Sequence, residues 1–509
     1  MIVATLCLLA PQQFVLGKPL PGEARWSEGV ECTDVENDGD LDIFFAEGDG
    51  FHRAGEPRQN ILIINRLIET GEVDFADESV ARLGEHATNA KMVFTGDIDA
   101  DGYVDAIFAN AFRTSPPCLY VNRGLEQPGF FTERAVERGL AEPLSSASGQ
   151  FGDVDDDGDL DLILCDSGES FLGGDGGVPR LYLNDGAGYF TEETGPGWQP
   201  ARKIAHMDVQ LVDLDGDFDL DFFGTNRGAN QGGTHYVMLN DGNASFDDVS
   251  HRFPATSTLV YEVEFGDLDG DRDLDCFLTS MTAMTEGAVR NDTSEGDIVF
   301  LPGATLTGSH DDNEVMLLDY DSDGDLDPIV ASLGVREALW RNDGGFAFTK
   351  LFEAVEGIRD SSMDATVADL DNDGDYDLVT AQGESNRRNW ANRVLWNEGP
   401  KDDLAPQVLA LEEPRFVQTG ELAGEWRFRV QVQDQVSDDG VMYLSANLLG
   451  GLVPKGRGSL SQEWIEGTYS GGGVFRFALP AQDRSERRYV LVLGDWAGND
   501  LQLPLRMGG

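Results

Sequence analysis

Asp153-Val154-Asp155-Asp156-Asp157-Gly158-Asp159-Leu160-Asp161 is one of seven copies of a nonapeptide that decides how this chain is read. The others are DVENDGDLD (34–42), DIDADGYVD (97–105), DLDGDFDLD (213–221), DLDGDRDLD (267–275), DYDSDGDLD (319–327) and DLDNDGDYD (369–377). Successive copies begin 63, 56, 60, 54, 52 and 50 residues apart. In a chain this acidic, four acids at fixed spacing should arise about once by chance. Seven near-regular copies therefore mark an internal repeat.

Each copy lies between strand-like runs. KMVFTGD, SGQFGD, HMDVQLVD and YEVEFGD precede copies, and IFFAEG, AIFANA, LILCDS, FFGTN, CFLTS, PIVASL and LVTAQG follow them. A third run ends in a turn signal (LYVNRG, LYLNDG, VMLNDG, LWRNDG, VLWNEG), and a fourth begins at FFTERA, YFTEET, SFDDVS or FAFTKL. Four short strands per repeat is the arithmetic of a propeller blade, and period-two patterning argues against helical repeats. The predicted fold class is all-β: a seven-bladed β-propeller over residues 11–400, followed by a small β-sandwich over 401–509. The seventh blade lacks a fourth strand before Pro400, and Phe14-Val15-Leu16 has no blade of its own. Pairing the two closes the ring and removes an exposed edge.

The sandwich is read from short alternating runs without helical periodicity. In EWRFRVQVQD, Trp426, Phe428, Val430 and Val432 share one face, and Arg427, Arg429 and Gln431 the other. VMYLSANL, GVFRFALP and RYVLVLGDWAGND follow.

Composition narrows the function. The 509 residues carry 36 basic and 93 acidic side chains, a net charge of −57. Even without the 35 acids of the motifs, 58 face 36 basic residues. Such a field repels phosphates, so nucleic acid and anionic lipid are excluded as partners, and cations are favoured. With 40% hydrophobic residues, wholesale disorder is excluded too. No apolar run reaches 18 residues, so no membrane span is expected. The cysteines 7, 32, 118, 165 and 276 form no CxxC, and Cys165 and Cys276, inside the apolar runs LILC and CFL, read as buried thiols. No HExxH, GxSxG, Walker loop or GxGxxG occurs, so no catalytic residues are assigned. MIVATLCLLA (1–10) reads as a truncated signal peptide, with a first buried strand as the alternative.

The nonapeptide suggests its own chemistry. Position 1 is Asp34, Asp97, Asp153, Asp213, Asp267, Asp319 and Asp369; position 3 is Glu36, Asp99, Asp155, Asp215, Asp269, Asp321 and Asp371. Position 5 is Asp38, Asp101, Asp157, Asp217, Asp271, Asp323 and Asp373; position 9 is Asp42, Asp105, Asp161, Asp221, Asp275, Asp327 and Asp377. Alternate carboxylates in a tight loop converge, and only a cation neutralises four of them. Oxygen ligands without His or Cys select a hard ion, and flexible geometry favours Ca2+ over Mg2+. Position 7 is Asp40, Tyr103, Asp159, Asp219, Asp273, Asp325 and Asp375. A tyrosine there fits ligation through the backbone carbonyl.

The seven motifs resemble the DxDxDGxxD loops of FG-GAP (VCBS) repeats, the family of the integrin α-chain propeller. Phe151-Gly152-Asp153 and Phe265-Gly266-Asp267 match its "FG" element. The tail is similar to bacterial Ig-like domains through its APxV opening and Asp495-Trp496-Ala497-Gly498-Asn499 close. The resemblance implies up to seven Ca2+ ions and a secreted or surface-attached protein engaged in adhesion or assembly. Two copies depart from it: Phe218 and Arg272 replace the glycine of position 6, with Gly216 and Gly270 at position 4. Weaker metal binding is expected at 213–221 and 267–275.

The motif is a first-to-second-strand turn, so the second-to-third connections lie on the opposite face. Those at 48–59, 167–179, 227–235 and 281–296 are long and varied, and loops carry function more often than scaffold does. The leading expectation is a calcium-stabilised, non-enzymatic, secreted or surface protein binding an extracellular protein or glycan through that face. The alternative is a lyase-like polysaccharide enzyme, which would need a basic cluster to neutralise a uronate. Four acids, Asp208, Glu262, Glu314 and Asp364, precede their motifs by five residues, and with Lys91, His206 and Trp26 they would line the channel mouth.

Overall fold

The computed structural model describes residues 13–22, 26–50, 53–168, 176–227, 234–255, 259–280, 286–293, 297–306, 310–351, 353–357, 359, 361–383, 391–417, 425–436, 451–454, 467–480, 489–494 and 499–505. The signal-like segment 1–10, VMYLSANL, 495–498 and parts of the four long connections lie outside this set. The stretch 281–296 is not one connection: Glu286–Asn291 within it is the third strand of its sheet, paired with Asp275–Ser280.

The protein is nearly all-β. Its only α-helices among the described residues are Leu67–Thr70 and Ser79–Leu83. Among the described residues there are seven four-stranded antiparallel sheets, six of them in meander order and the seventh completed by a strand from the N-terminal end. The first strands of successive sheets touch in an unbroken cycle: Ser27–Thr33, Ala90–Gly96, Gly149–Gly152, Val209–Val212, Val260–Gly266, Asp311–Leu318, Ser362–Ala368 and back to Ser27–Thr33. This makes a propeller-like ring of repeated sheets. Phe14–Leu16 is the fourth strand of the sheet containing Ser362–Ala368, pairing Phe14 with Asn397, Val15 with Trp396 and Leu16 with Leu395. The chain thus closes the ring with the pairing its unpartnered strands called for.

The "FG" dipeptide has a packing reason. A Cβ on Gly152 would stand 2.6 Å from a methyl of Leu220, and one on Gly266 2.6 Å from a methyl of Leu326. Both leucines are position 8 of the next motif, so the glycine is the socket for its neighbour's plug. Phe151 and Phe265 fill the space beside it at 1% exposure.

A second recurrent bond joins the sheets. The asparagine ending the third strand, read from sequence as a turn residue, donates its side-chain amide to position 2 of the preceding motif. The pairs are Asn65–Leu370, Asn122–Val35, Asn184–Ile98, Asn240–Val154, Asn291–Leu214 and Asn342–Leu268, all at 2.8–3.0 Å. At the closure, Gln13 from the N-terminal segment reaches Tyr320 instead.

Residues from 407 onward build two further sheets. One holds Gln407–Leu411, Glu425–Gln433, Val474–Pro480 and Thr468–Gly471, with Arg415–Phe416 at its side; the other holds Gly451–Pro454, Tyr489–Gly494 and Asp500–Leu505. Phe428, Val430, Val432, Phe475 and Phe477 of the first share a core with Leu491, Leu493 and Leu505 of the second. The alternation read in 425–434 therefore holds for the apolar face. The polar face is not solvated: Gln431, Gln433, Gln435 and Arg476 are 4–6% exposed, against the propeller-like ring.

Cys32, Cys118, Cys165 and Cys276 are buried free thiols, as the apolar runs around Cys165 and Cys276 suggested for those two. Among the described residues no helix is long and apolar enough to cross a membrane.

Candidate metal sites

Each nonapeptide is the turn between the first and second strands of its sheet. The residue before it pairs with its last aspartate in all seven copies, from Thr33 with Asp42 to Ala368 with Asp377. Within this turn the four acidic positions do different work.

Position 1 folds the loop. Its two carboxylate oxygens accept the backbone N–H groups of positions 5 and 6, for example Asp157 and Gly158 onto Asp153 at 3.1 Å each. The same pair of bonds recurs in the other six copies. Turning position 6 toward position 1 demands a left-handed backbone, which glycine adopts at least cost. Its φ runs from +86° to +104° at Gly39, Gly102, Gly158, Gly324 and Gly374, and is +71° at Phe218 and +80° at Arg272.

Position 4 is left-handed as well, at Asn37, Ala100, Asp156, Ser322 and Asn372 (φ +54° to +59°) and at Gly216 and Gly270 (+80° and +82°). The turn has two left-handed positions, and these loops have exchanged which one carries the glycine. The strain is moved, not removed. It falls on Phe218 and Arg272, whereas Asn and Asp at position 4 tolerate that conformation better than most residues.

Position 9 is buried, at 0–1% exposure in every copy. One oxygen accepts the N–H of position 2, and the other the N–H of the third-strand asparagine. Despite these bonds, burial dominates and lifts Asp161 and Asp327 to about 9 and Asp275 to about 8.

Position 3 is the unsatisfied member. One carboxylate oxygen of Asp99, Asp155, Asp215, Asp269 and Asp321 is buried without a hydrogen-bond partner. A buried acceptor left bare costs free energy, and five equivalent ones at the same position point to a missing donor of positive charge. The donor set fits a hard cation. Carboxylate oxygens of Asp97, Asp99 and Asp101 lie within 4.8 Å of one another, as do those of Asp153, Asp155 and Asp161, of Asp213, Asp215 and Asp221, and of Asp267, Asp269 and Asp271.

In the first loop the converging trio is Glu36, Asp38 and Glu69, which leaves out Asp34 and Asp42. Glu69 belongs to no motif. It sits on the short helix Leu67–Thr70, inside the insertion that makes the first repeat spacing the longest.

The channel-mouth group is found only in part. A cavity of about 70 Å3 is lined by Lys91, Glu262, Glu314 and Asp364, with Met92, Met207 and Met363. Lys91 is 2.5 Å from Glu28. His206 does not line it. Its ring is buried and stacked on Tyr236, with centroids 5.8 Å apart, and burial holds its pKa down at about 3.

Repeated four-stranded sheets, each with an acidic turn able to hold a cation between its first two strands, define a propeller-type repeat protein. The FG-GAP-like repeat family model matches residues 97–164, 153–224, 213–278 and 319–380, so the chain carries FG-GAP-like repeats over these stretches. No curated protein matches the sequence. Among solved structures, Saccharomyces cerevisiae Sqt1 is similar over 76% of this chain and 100% of its own, at 12% identity and a TM-score of 0.44. Rhamnogalacturonan lyase YesW is similar over 77% of this chain and 76% of its own, at 14% identity and a TM-score of 0.39.

Proposed function

We propose that the chain is a secreted or cell-surface protein, stabilised by calcium, that binds an extracellular protein or glycan through the face opposite its acidic turns. On this reading the ring is a seven-bladed propeller and the C-terminal sheets an Ig-like sandwich. The supporting observation is which face is left open. The C-terminal sheets lie against the acidic turns, where Ser470, Gln433 and Gln435 bond Asp153, Asp267 and Asp319. The opposite face carries the second-to-third connections and a cleft of about 610 Å3, lined by Arg113, Asp166, Arg180, Glu192, Trp198 and Lys203 among others.

Calcium would be held by the carboxylates of positions 1, 3, 5 and 9 and the carbonyl of position 7, with position 9 also closing the turn. It would neutralise the converging charge. Loops of modest affinity fill where calcium is about millimolar, which favours an extracytoplasmic location. A uronate-directed lyase would want a net basic pocket. Here Arg113 pairs with Asp166 at 2.7 Å and Arg180 with Glu192 at 3.6 Å, so binding is the preferred reading.

A glycan and surface-protein array, run with calcium and in calcium-free buffer, tests this. Binding is expected with calcium and should fall at least tenfold in Arg113→Glu/Lys203→Glu. Binding undisturbed by those changes would move the site elsewhere.

Arg272→Gly tests the loop ranking. Glycine relieves about 1 kcal/mol of left-handed strain and removes a positive charge beside the cluster. Calorimetric titration is expected to show tighter calcium binding at one site, with a higher melting temperature. An unchanged titration curve would remove the basis for ranking 267–275 below the others.

A further inference from the structure

Two arginines of the C-terminal sheets reach into two neighbouring turns. Arg476 donates to a carboxylate oxygen of Asp153 at 2.9 Å, to the carbonyl of Asp156, and lies 3.3 Å from the Asp156 carboxylate. Arg429 donates to the carbonyls of Asp217 and Phe218 at 3.1 and 3.2 Å and to the carboxylate of Asp219. Its guanidinium sits 5.5 Å from the centre of the Phe218 ring. Phe218, the residue that breaks the glycine pattern, is thus part of the docking contact.

The two arginines also face each other in register, Arg429 opposite Arg476 on adjacent strands. Like charges directly opposite destabilise a sheet; Glu412, 3.3 Å from Arg429, offsets part of this within the module, and the acidic turns beneath supply the rest. Other turns draw on cations from the ring itself: Arg82 lies 3.1 Å from Glu36 and Arg138 3.6 Å from Asp99.

We infer that the C-terminal module is a latch on the acidic face, whose Arg429 and Arg476 compete with divalent cations for the turns at 213–221 and 153–161. This rests on reading the turns as cation sites. Asp153 is a position-1 ligand, and a guanidinium on it opposes a second positive charge a few ångströms away. Linkage is reciprocal: whatever the latch subtracts from cation affinity at these turns, cations subtract from the latch. Other contacts, such as the bridge between Leu318 and Val436, keep the module tethered, so the expected change is loosening rather than release.

The test uses the full chain. Calcium titration calorimetry should show two sites tightening on the order of tenfold in Arg429→Gln/Arg476→Gln relative to the unmodified protein. Small-angle scattering of the unmodified protein should show the particle widening as calcium rises into the millimolar range. Without calcium, it should widen as salt rises, because screening weakens the same ion pairs. Calcium uptake with no change in the double variant and no change in shape would overturn the latch and leave the cation sites standing. No calcium uptake at all would overturn both.

Discussion

Removing calcium is expected to lower the melting temperature by roughly 10 °C or more at pH 8, and by far less at pH 5. Each turn concentrates carboxylates in a partly buried space, so the metal-free fold must either hold protons there or bear their repulsion. Burial, the largest cause, raises Asp153 and Asp213 to about 7, alongside the still higher position-9 aspartates.

A carboxyl whose folded pKa lies above its unfolded value binds its proton more tightly in the native state. Its contribution is therefore present below the unfolded range, near pH 4, and is lost as pH rises through the folded values of about 6 to 9. Metal-free protein should weaken steadily from pH 5 to pH 9. Calcium supplies the opposing charge that the lost protons no longer do, so the calcium-loaded protein should hold its stability over that range. Scanning calorimetry at pH 5 and pH 8, in calcium-free and in millimolar calcium buffer, gives four melting temperatures. A metal-free value that is flat or rising with pH would contradict the account, as would identical values with and without calcium at pH 8.

The repeat, the all-β class and the ring closure were legible because each is written in contiguous residues: a nine-residue motif, alternating strands, and a strand with no partner. What sequence hid was contact between distant segments. The third-strand asparagines look like turn formers, yet Asn184 bonds a carbonyl 86 residues earlier, in the preceding repeat. Glu69 gives no motif signal; its only trace is the long first spacing. Arg429 was placed on a polar face, but nothing in its neighbours says that this face meets an acidic turn rather than water. The two left-handed positions of the motif were likewise half visible. Glycine at position 6 was seen, but position 4 is filled by Asn, Ala, Asp and Ser as well as Gly, and their common backbone shows only in the dihedrals.

Asp221→Ala is expected to cost about 2–5 kcal/mol even in calcium-free buffer, because position 9 is a structural clip before it is a ligand. Its oxygens accept the N–H groups of Leu214 and Asn240, both at 2.8 Å, and it is fully buried. Deleting the carboxylate leaves two buried backbone donors unsatisfied and frees Asn240, which ties this sheet to Val154 of the preceding one. Relief from burying an ionisable group offsets part of the loss, which is why the lower half of the range is favoured near pH 8. Asp215→Ala is the contrast: one of its oxygens is buried and bare, so without calcium its removal should be neutral or stabilising. With calcium it should become destabilising, because a ligand is gone. Urea unfolding of both variants, with and without calcium, reads the difference directly. Equal losses in calcium-free buffer would mean that positions 3 and 9 do the same work, and the division of labour within the turn would be wrong.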